Sequence, residues 1–314
     1  KTDGYSVKKS GDGSVIMVGF PSVGKSTLLN KLTNQESATA AYAFTTLTCI
    51  PGMLDYKSAK IQILDVPGVV QGAASGRGRG KEVLSVAINS DLVMFVVDVF
   101  SPEHFQILMK EVRDSYLRIN EIKPDVKIKK NAKGGLSIGT TVKLTKLDKN
   151  TIKKILNEFR IINADVLIRT DINADQLIDV IEGNKKYVAG IALLSKADLA
   201  TPEQIQSAKD IIKADIAVSA EKGEGIEELK ELIFSRLGFI RVYCKEQGKK
   251  ADMGVPLIMK EGCTLKDMCE KLHRDFVTRF RFARIWGSSK FPGQAIRKLS
   301  FEVKDEDIVE LILD

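Results

Sequence analysis

The sequence is short of histidine and cysteine and has no long apolar run, and each shortage closes off a class of chemistry. Its 314 residues include two histidines and four cysteines. Cys49, Cys244, Cys263 and Cys269 fall at spacings that match no metal motif, and two histidines cannot make up the deficit, so no zinc centre is expected. Free thiols in a reducing, cytoplasmic setting are the simplest reading of those cysteines. No apolar stretch approaches the ~18–20 residues needed to span a bilayer, so no membrane segment is expected. No secretory signal opens the chain. It begins at Lys1 rather than Met, which leads one to expect that an N-terminal piece was lost or removed.

What is present is an ordinary globular composition. A hydrophobic fraction of 44% supports real cores, and the length suggests about two to three domains. Lysine and arginine exceed aspartate and glutamate to give a net charge of +7. That excess permits a polyanionic partner such as RNA without demanding one, since surplus lysine is also a common solvated surface.

Short β-rich runs alternate with helical patterns, the signature of an α/β fold on a mainly parallel sheet. Strands are expected over 15–19, 61–65, 92–97, 188–194 and 215–218. The interval from Asp98 to Val188 is too long for one crossover, so a small α+β insertion is expected there. It holds a lysine-rich tract from Lys127 to Gly135, then a helix with Ile152, Ile155, Leu156 and Phe159 on one face. Ala174, Leu177, Ile178 and Ile181 mark a second helix. Thr201-Pro202-Glu203-Gln204 reads as a capping box with proline at the first helical position. From Phe239 the pattern changes to two strands, a helix capped by Thr264, and further strands, a compact module of about 75 residues. The boundaries expected are 1–100 with 170–237 for the first domain, 101–169 for the insertion and 238–314 for the last module.

The chemistry starts at Gly19-Phe20-Pro21-Ser22-Val23-Gly24-Lys25-Ser26, followed by Thr27. This is the spacing G-x-x-x-x-G-K-[ST] of a phosphate-cradling P-loop, set between the apolar run Val15–Val18 and a helix carrying Leu28, Leu29 and Leu32. Its backbone N–H groups converge on phosphate oxygens, Lys25 reaches the β and γ phosphates, and Ser26 can hold Mg2+. A second segment runs apolar into Asp65-Val66-Pro67-Gly68. An aspartate ending a strand beside the loop can position Mg2+, and a glycine three residues on can offer its N–H to the γ phosphate. Loss of that phosphate would release the segment, as in a switch. Between the two lies Tyr42-Ala43-Phe44-Thr45-Thr46-Leu47, whose threonines can complete the metal shell. Ser195-Lys196-Ala197-Asp198 follows a strand, and Asp198 can accept from guanine N1–H and N2–H, a pattern adenine lacks. Ser219-Ala220 follows the next strand and can offer an N–H to guanine O6.

In that order these motifs resemble the developmentally regulated GTP-binding proteins, a branch of the Obg-like, translation-factor-class GTPases. The likeness extends through the segments 41–52, 163–166 and 177–184 and, in the last module, 283–289. It implies a P-loop GTPase domain interrupted by a small α+β insertion and followed by a β-grasp, ubiquitin-like TGS domain. It also implies GTP and GDP as ligands with Mg2+ on Ser26, Thr46 (or else Thr45) and Asp65. Lys25, Thr46 and Gly68 would serve hydrolysis, residues Asp65 to Val69 would sense the γ phosphate, and Lys196 and Asp198 would read guanine. Relatives usually carry a helical segment ahead of this domain, and the expectation is that this chain lacks it.

Two departures bear on rate and affinity. The guanine motif of the family begins with asparagine, and Ser195 stands there, with a shorter side chain and fewer partners; weaker nucleotide binding is expected. Some GTPases place a water-orienting glutamine after the switch glycine, where this chain has Val69, so slow intrinsic hydrolysis is expected, assisted by a partner protein, by K+ or another monovalent cation, or by Arg77 or Arg79. In the last module, Arg274, Arg279, Arg281, Arg284, Lys290, Arg297 and Lys298 lie near Phe280, Phe282 and Trp286. Two readings stand: an RNA-gripping surface, or core aromatics with solvated charges. The resemblance favours RNA and makes the lysines from Lys127 to Lys133 a second, weaker candidate. His104 and His273 are expected to be structural. The reading is a monomeric GTP-hydrolysing switch on ribosomes or structured RNA; the alternative is a non-hydrolysing, guanine-nucleotide-bound adaptor.

Overall fold

The computed structural model describes residues 11–33, 50–65, 89–114 and 116–314. The chain divides into two compact units, one of residues 1–108 with 190–314 and the other of Met109–Ala189.

In the first unit, strands β1 (Gly13–Val18), β3 (Ala59–Asp65) and β4 (Leu92–Asp98) are almost continuously apolar. A strand of that composition is stable only with both faces covered, which is the environment of a central parallel strand. β1 accordingly lies between β3 and β4, parallel to both, with Val15 opposite Ile63 and Ile16 opposite Val93. This register brings the C-terminal ends of all three to one edge of the sheet. The full order is β10-β9-β4-β1-β3-β2, with β9 at Lys186–Ser195 and β10 at Ile216–Ala217. β2 (Ile50–Tyr56) is an antiparallel edge strand joined to β3 through Lys57 and Ser58, both at positive φ. The sheet is therefore mainly, not wholly, parallel.

Helix α1 (Lys25–Thr33) leaves β1 directly and buries Leu28, Leu29 and Leu32. Helix α2 spans His104–Asp114. Helix α5 (Pro202–Ile212) starts in the expected capping box of Thr201 and Gln204, and α6 (Ile226–Arg236) buries Leu229 and Ile233. The last part of this unit holds β11 (Phe239–Cys244), β12 (Leu257–Lys260), α7 (Leu265–Leu272), β13 (Phe280–Trp286), β14 (Gln294–Ile296) and β15 (Ile308–Leu313). Their order is β12-β11-β15-β13-β14, with β11 and β15 parallel at the centre. Thr264 and Asp267 form the cap of α7. Leu265 and Met268 of this helix are fully buried with Val242, Ile285 and Val309, the single-helix, one-sided packing of a β-grasp module.

In the second unit, β6 (Val126–Lys130), β8 (Ala164–Ile168) and β7 (Leu136–Thr140) make a three-stranded sheet in that order. Helices α3 (Lys149–Glu158) and α4 (Ala174–Glu182) cover one face, through Ile152, Leu156 and Leu177 packed on Val166 and Ile168. Because α4 packs in this core, the unit is wider than the 101–169 expected for the insertion. A short strand β5 (Leu117–Ile119) pairs with Lys186–Val188. Arg118 on β5 makes two 2.7 Å bonds to the Asp179 carboxylate of α4, and both side chains are buried. The Tyr187 hydroxyl donates to the same carboxylate at 3.2 Å, and burial, then the Asp179 charge, push its pKa up to about 12.

Candidate functional site

Strand β1 ends at Val18 and the chain must turn back into α1 within a few residues. Gly19 passes so close to β4 that a Cβ there would sit 2.5 Å from the carbonyl oxygen of Val96. Gly24 adopts φ +91 and its missing Cβ would point into empty space. The first glycine is thus required by a close backbone approach, the second by a left-handed conformation that leaves a cradle unobstructed. The sequence motif is satisfied for two separate steric reasons.

The Nζ of Lys25, in the first turn of α1, donates to the carbonyls of Gly19 at 3.0 Å and Phe20 at 2.9 Å. Burial lowers the pKa of this amine, partly countered by the charge of Asp65. A cation held against its preference for water, with only carbonyls as hydrogen-bond partners among the described residues, is poised to gain from an incoming anion. The hydroxyl of Ser26 donates to Oδ2 of Asp65 at 2.7 Å. Asp65 itself is 3% exposed, and its Oδ1 finds no hydrogen-bond partner among the described residues. A buried carboxylate oxygen with no partner beside a serine hydroxyl is the donor set that suits a hard divalent cation. The residues present therefore fit Mg2+.

Pro21, Ser22, Gly24, Lys25, Ser26, Thr27 and Asp65 line a cavity of about 440 Å³. A second cavity of about 330 Å³ shares Ser22, Gly24 and Thr27 with it and continues over Val23 and Leu28 to Ser195, Lys196, Asp198, Leu199, Val218 and Ala220. The two are one elongated trough, with Lys25 at one end and, at the other, apolar side chains mixed with Ser195, Lys196, Asp198 and Glu221. Its far wall stands at the ends of β9 and β10. There the Ser195 hydroxyl donates to the Val97 carbonyl at 3.2 Å, and Lys196, at φ 59, turns the chain into a short 3-10 segment. Ala197 N–H bonds to the Val218 carbonyl at 3.1 Å, fixing the two strand ends together. Ser219 is fully buried, its hydroxyl accepting from Lys222 N–H at 3.0 Å, so it supports the wall that Ala220 lines.

Three residues at this site were not legible in the sequence. Asp98 ends β4 and pairs with Lys196 at 2.7 Å. Leu199, 66% exposed, is an apolar rim to the trough. His104 stacks on Phe20 at a centroid distance of 4.2 Å, buttressing the phosphate loop. An aspartate at the end of an apolar strand was a usable signal for Asp98, as it was for Asp65. Phe44, Thr45, Thr46, Val66, Pro67, Gly68, Val69, Arg77, Arg79 and Cys49 lie outside the described residues. Cys244, Cys263 and Cys269 are free thiols, and burial raises the pKa of each. No helix among the described residues is long and apolar enough to cross a membrane.

Comparison with known proteins agrees with this geometry. Residues 14–130 match the 50S ribosome-binding GTPase family, 133–239 match the C-terminal region of that domain, and 240–313 match the TGS domain. An uncharacterized GTP-binding protein of Methanocaldococcus jannaschii is 51% identical over 99% of this chain and 80% of its own length. Developmentally regulated G-protein 1 of Arabidopsis thaliana is 40% identical over 99% of this chain and 78% of its own. Ribosome-interacting GTPase 1 of Saccharomyces cerevisiae is 41% identical over 98% of this chain and 84% of its own. Identity at this level, sustained from the phosphate loop to the last strand of the TGS domain, means that the chain belongs to the family of developmentally regulated GTP-binding proteins.

Proposed function

We propose that the trough binds GTP with Mg2+ and that the chain hydrolyses it slowly, as a cytoplasmic switch acting on ribosomes or structured RNA. The observation that carries this reading is the buried Lys25 amine beside the Ser26–Asp65 pair at one end of a trough whose other end holds Asp198. Lys25 and the loop amides would stabilise negative charge on the β–γ bridge and γ oxygens. Ser26 and Asp65, with Thr46 by family resemblance, would hold Mg2+, which supplies charge neutralisation on those oxygens. Asp198 would select guanine by accepting two N–H groups, Lys196 would lie along the base, held by Asp98, and Ala220 would face O6. Thr46 and Gly68 would orient the γ phosphate, and Val69 would leave the attacking water without a side-chain partner. The role expected of ribosomes is consistent with the name of the yeast relative.

Two features of the sequence favour the adaptor reading, the apolar Val69 where a water-orienting glutamine would stand and Ser195 in place of asparagine. One experiment separates the two readings. Labelled GTP is incubated with the chain at high K+, with and without ribosomes, and phosphate release is followed. Release stimulated by ribosomes supports the switch; none under any condition supports the adaptor. Competition by ATP as strong as by GTP would overturn guanine selection.

A further inference from the structure

The net charge of this chain is not spread over it. The second unit, Met109–Ala189, holds 17 of the lysines and arginines against 11 aspartates and glutamates, which is +6 of the total +7. Within that unit the two helices cover one face of the three-stranded sheet, through Val126 and Ile128 of β6 and Leu136 and Ile138 of β7. Alternation along a strand then sends Lys127 and Lys129 to the other face, where both are exposed. β8 lies next to β6 and sets Leu167 opposite Lys127 and Asp165 opposite Lys129, while Ser137 and Gly139 on β7, the far strand, are exposed. Lys130, the last residue of β6, alternates to the face of Val126 and Ile128 but is exposed, and Lys133 is exposed in the connection to β7, so both adjoin the basic row at its end. None of these four lysines has a carboxylate within ion-pair distance among the described residues; Asp165 is engaged by the Asn131 amide at 2.9 Å, and Asp125, just before β6, by Arg169 at 3.3 Å.

Three arginines of the TGS module are in a different state. Arg279 Nε donates to the Asp314 carbonyl at 2.7 Å, Arg281 pairs with the Asp314 carboxylate at 3.1 Å, and Arg284 lies 3.8 Å from Glu310. Phe282 and Trp286 are half-buried. Charge already neutralised within the protein releases few counterions when a polyanion arrives, whereas unpaired lysines on an open sheet release one each.

We propose that the uncovered face of the second unit's sheet, with Lys127 and Lys129 and the exposed Lys130 and Lys133 adjoining it at the end of β6, is a docking surface for the phosphate backbone of structured RNA. This rests on the reading of RNA as the partner and assigns it a place that the sequence ranked second. A flat face of lysines with no aromatic among them reads shape and phosphates, not base identity, so a duplex is preferred to a single strand and sequence matters little.

The test uses the full chain and an RNA hairpin with a stem of about 16 base pairs, with binding followed by anisotropy from low to moderate salt. Replacing the four lysines by alanine is expected to weaken binding roughly thirtyfold or more and to reduce the slope of log affinity against log salt by about three to four. The matching lysine-to-arginine variant should bind as the unmodified chain does. The variant R279A/R281A/R284A should change affinity less than threefold. Binding of a GTP analogue, unchanged in all three variants, shows that each is folded. An alanine variant that keeps both affinity and salt slope overturns the assignment to this face. So does tighter binding of polyglutamate than of the hairpin, which would make the occupant an acidic protein. Failure of the unmodified chain to bind any RNA at low salt would instead overturn the RNA part of the proposed function.

Discussion

The Ser26 hydroxyl donates to Asp65 Oδ2 at 2.7 Å, tying the first turn of α1 to the end of β3 across 39 positions of sequence. Because each side chain would act on the same cation, their loss should not be additive. Ser26→Ala and Asp65→Asn are each expected to weaken Mg2+-dependent binding of a fluorescent GTP analogue by about ten- to hundredfold, and the double variant by little more. With Mg2+ chelated, all three should converge on the unmodified chain. Fully additive losses in the presence of Mg2+ would refute a shared site.

Gly19 lies against the carbonyl of Val96, and a Cβ there would stand 2.5 Å from that oxygen. The obstructing atom belongs to the backbone and not to a flexible side-chain end, so Gly19→Ala must move β1 or β4. A cost of about 1–3 kcal/mol is expected, together with loss of nucleotide binding. Urea denaturation monitored by circular dichroism measures it, and unchanged stability would count against the close approach.

Ser195 is 6% exposed and spends its hydroxyl on the Val97 carbonyl. Ser195→Ala should therefore alter GTP affinity less than about threefold, the effect of one modest neutral hydrogen bond. Ser195→Asn should tighten GTP and GDP alike by about tenfold, because an amide adds donors at that position. Asp198→Asn should cost guanine selectivity by about a hundredfold or more. Competition assays with GTP, GDP and ATP read all three, and an asparagine variant no tighter than serine would refute the first departure noted above.

Arg118 and Asp179 form a buried bidentate pair with 9% and 4% side-chain exposure. Removing one partner leaves the other charge buried alone, so Asp179→Ala should destabilise the second unit by about 3–5 kcal/mol. Hydrogen exchange resolves whether the loss is confined to residues of that unit. A loss below about 1 kcal/mol would mean that the pair is weaker than its geometry implies.

Asp305 is held below the usual carboxylate range, first by the hydrogen bond from Arg241, against a smaller opposing effect of burial. Unfolded, it titrates near about 3.9. A depressed folded value means that the contribution is fully present above the unfolded pKa and is lost as pH falls through the lower folded one. Asp305 is 42% exposed on its side chain, so the pair is worth at most about 1 kcal/mol. Arg241→Met should narrow the stability difference from the unmodified chain as pH drops from neutral to below the carboxylate range. A difference that stays constant with pH, followed by urea melts, would exclude the pair as its source.

Much of the fold was visible because its signals are local. The apolar runs that became β1, β3 and β4 need only their own side chains to declare a buried parallel strand, and the caps at Thr201 and Thr264 are written in four residues each. β6 was read as a lysine tract because two of its alternate positions face water and carry charge. β2 went unread because Pro51 and Gly52 disguise it, and an edge strand tolerates both. The width of the second unit was missed because α4 follows the insertion's sheet in sequence but packs into its core.

The sequence alone determined the phosphate-loop motif, the Asp65 end of β3 and the segment proposed to read guanine, since each depends on residue types at fixed short spacing. Only the tertiary structure decided how they meet. It paired Lys196 with Asp98, stacked His104 on Phe20, and set the cavity over the phosphate loop beside the cavity at Ser195–Asp198, with Ser22, Gly24 and Thr27 common to both. It also decided which basic residues are spoken for by nearby acids and which stand unpaired. Those relations link residues far apart in the chain, and parallel strand register, not sequence proximity, sets the distances between them.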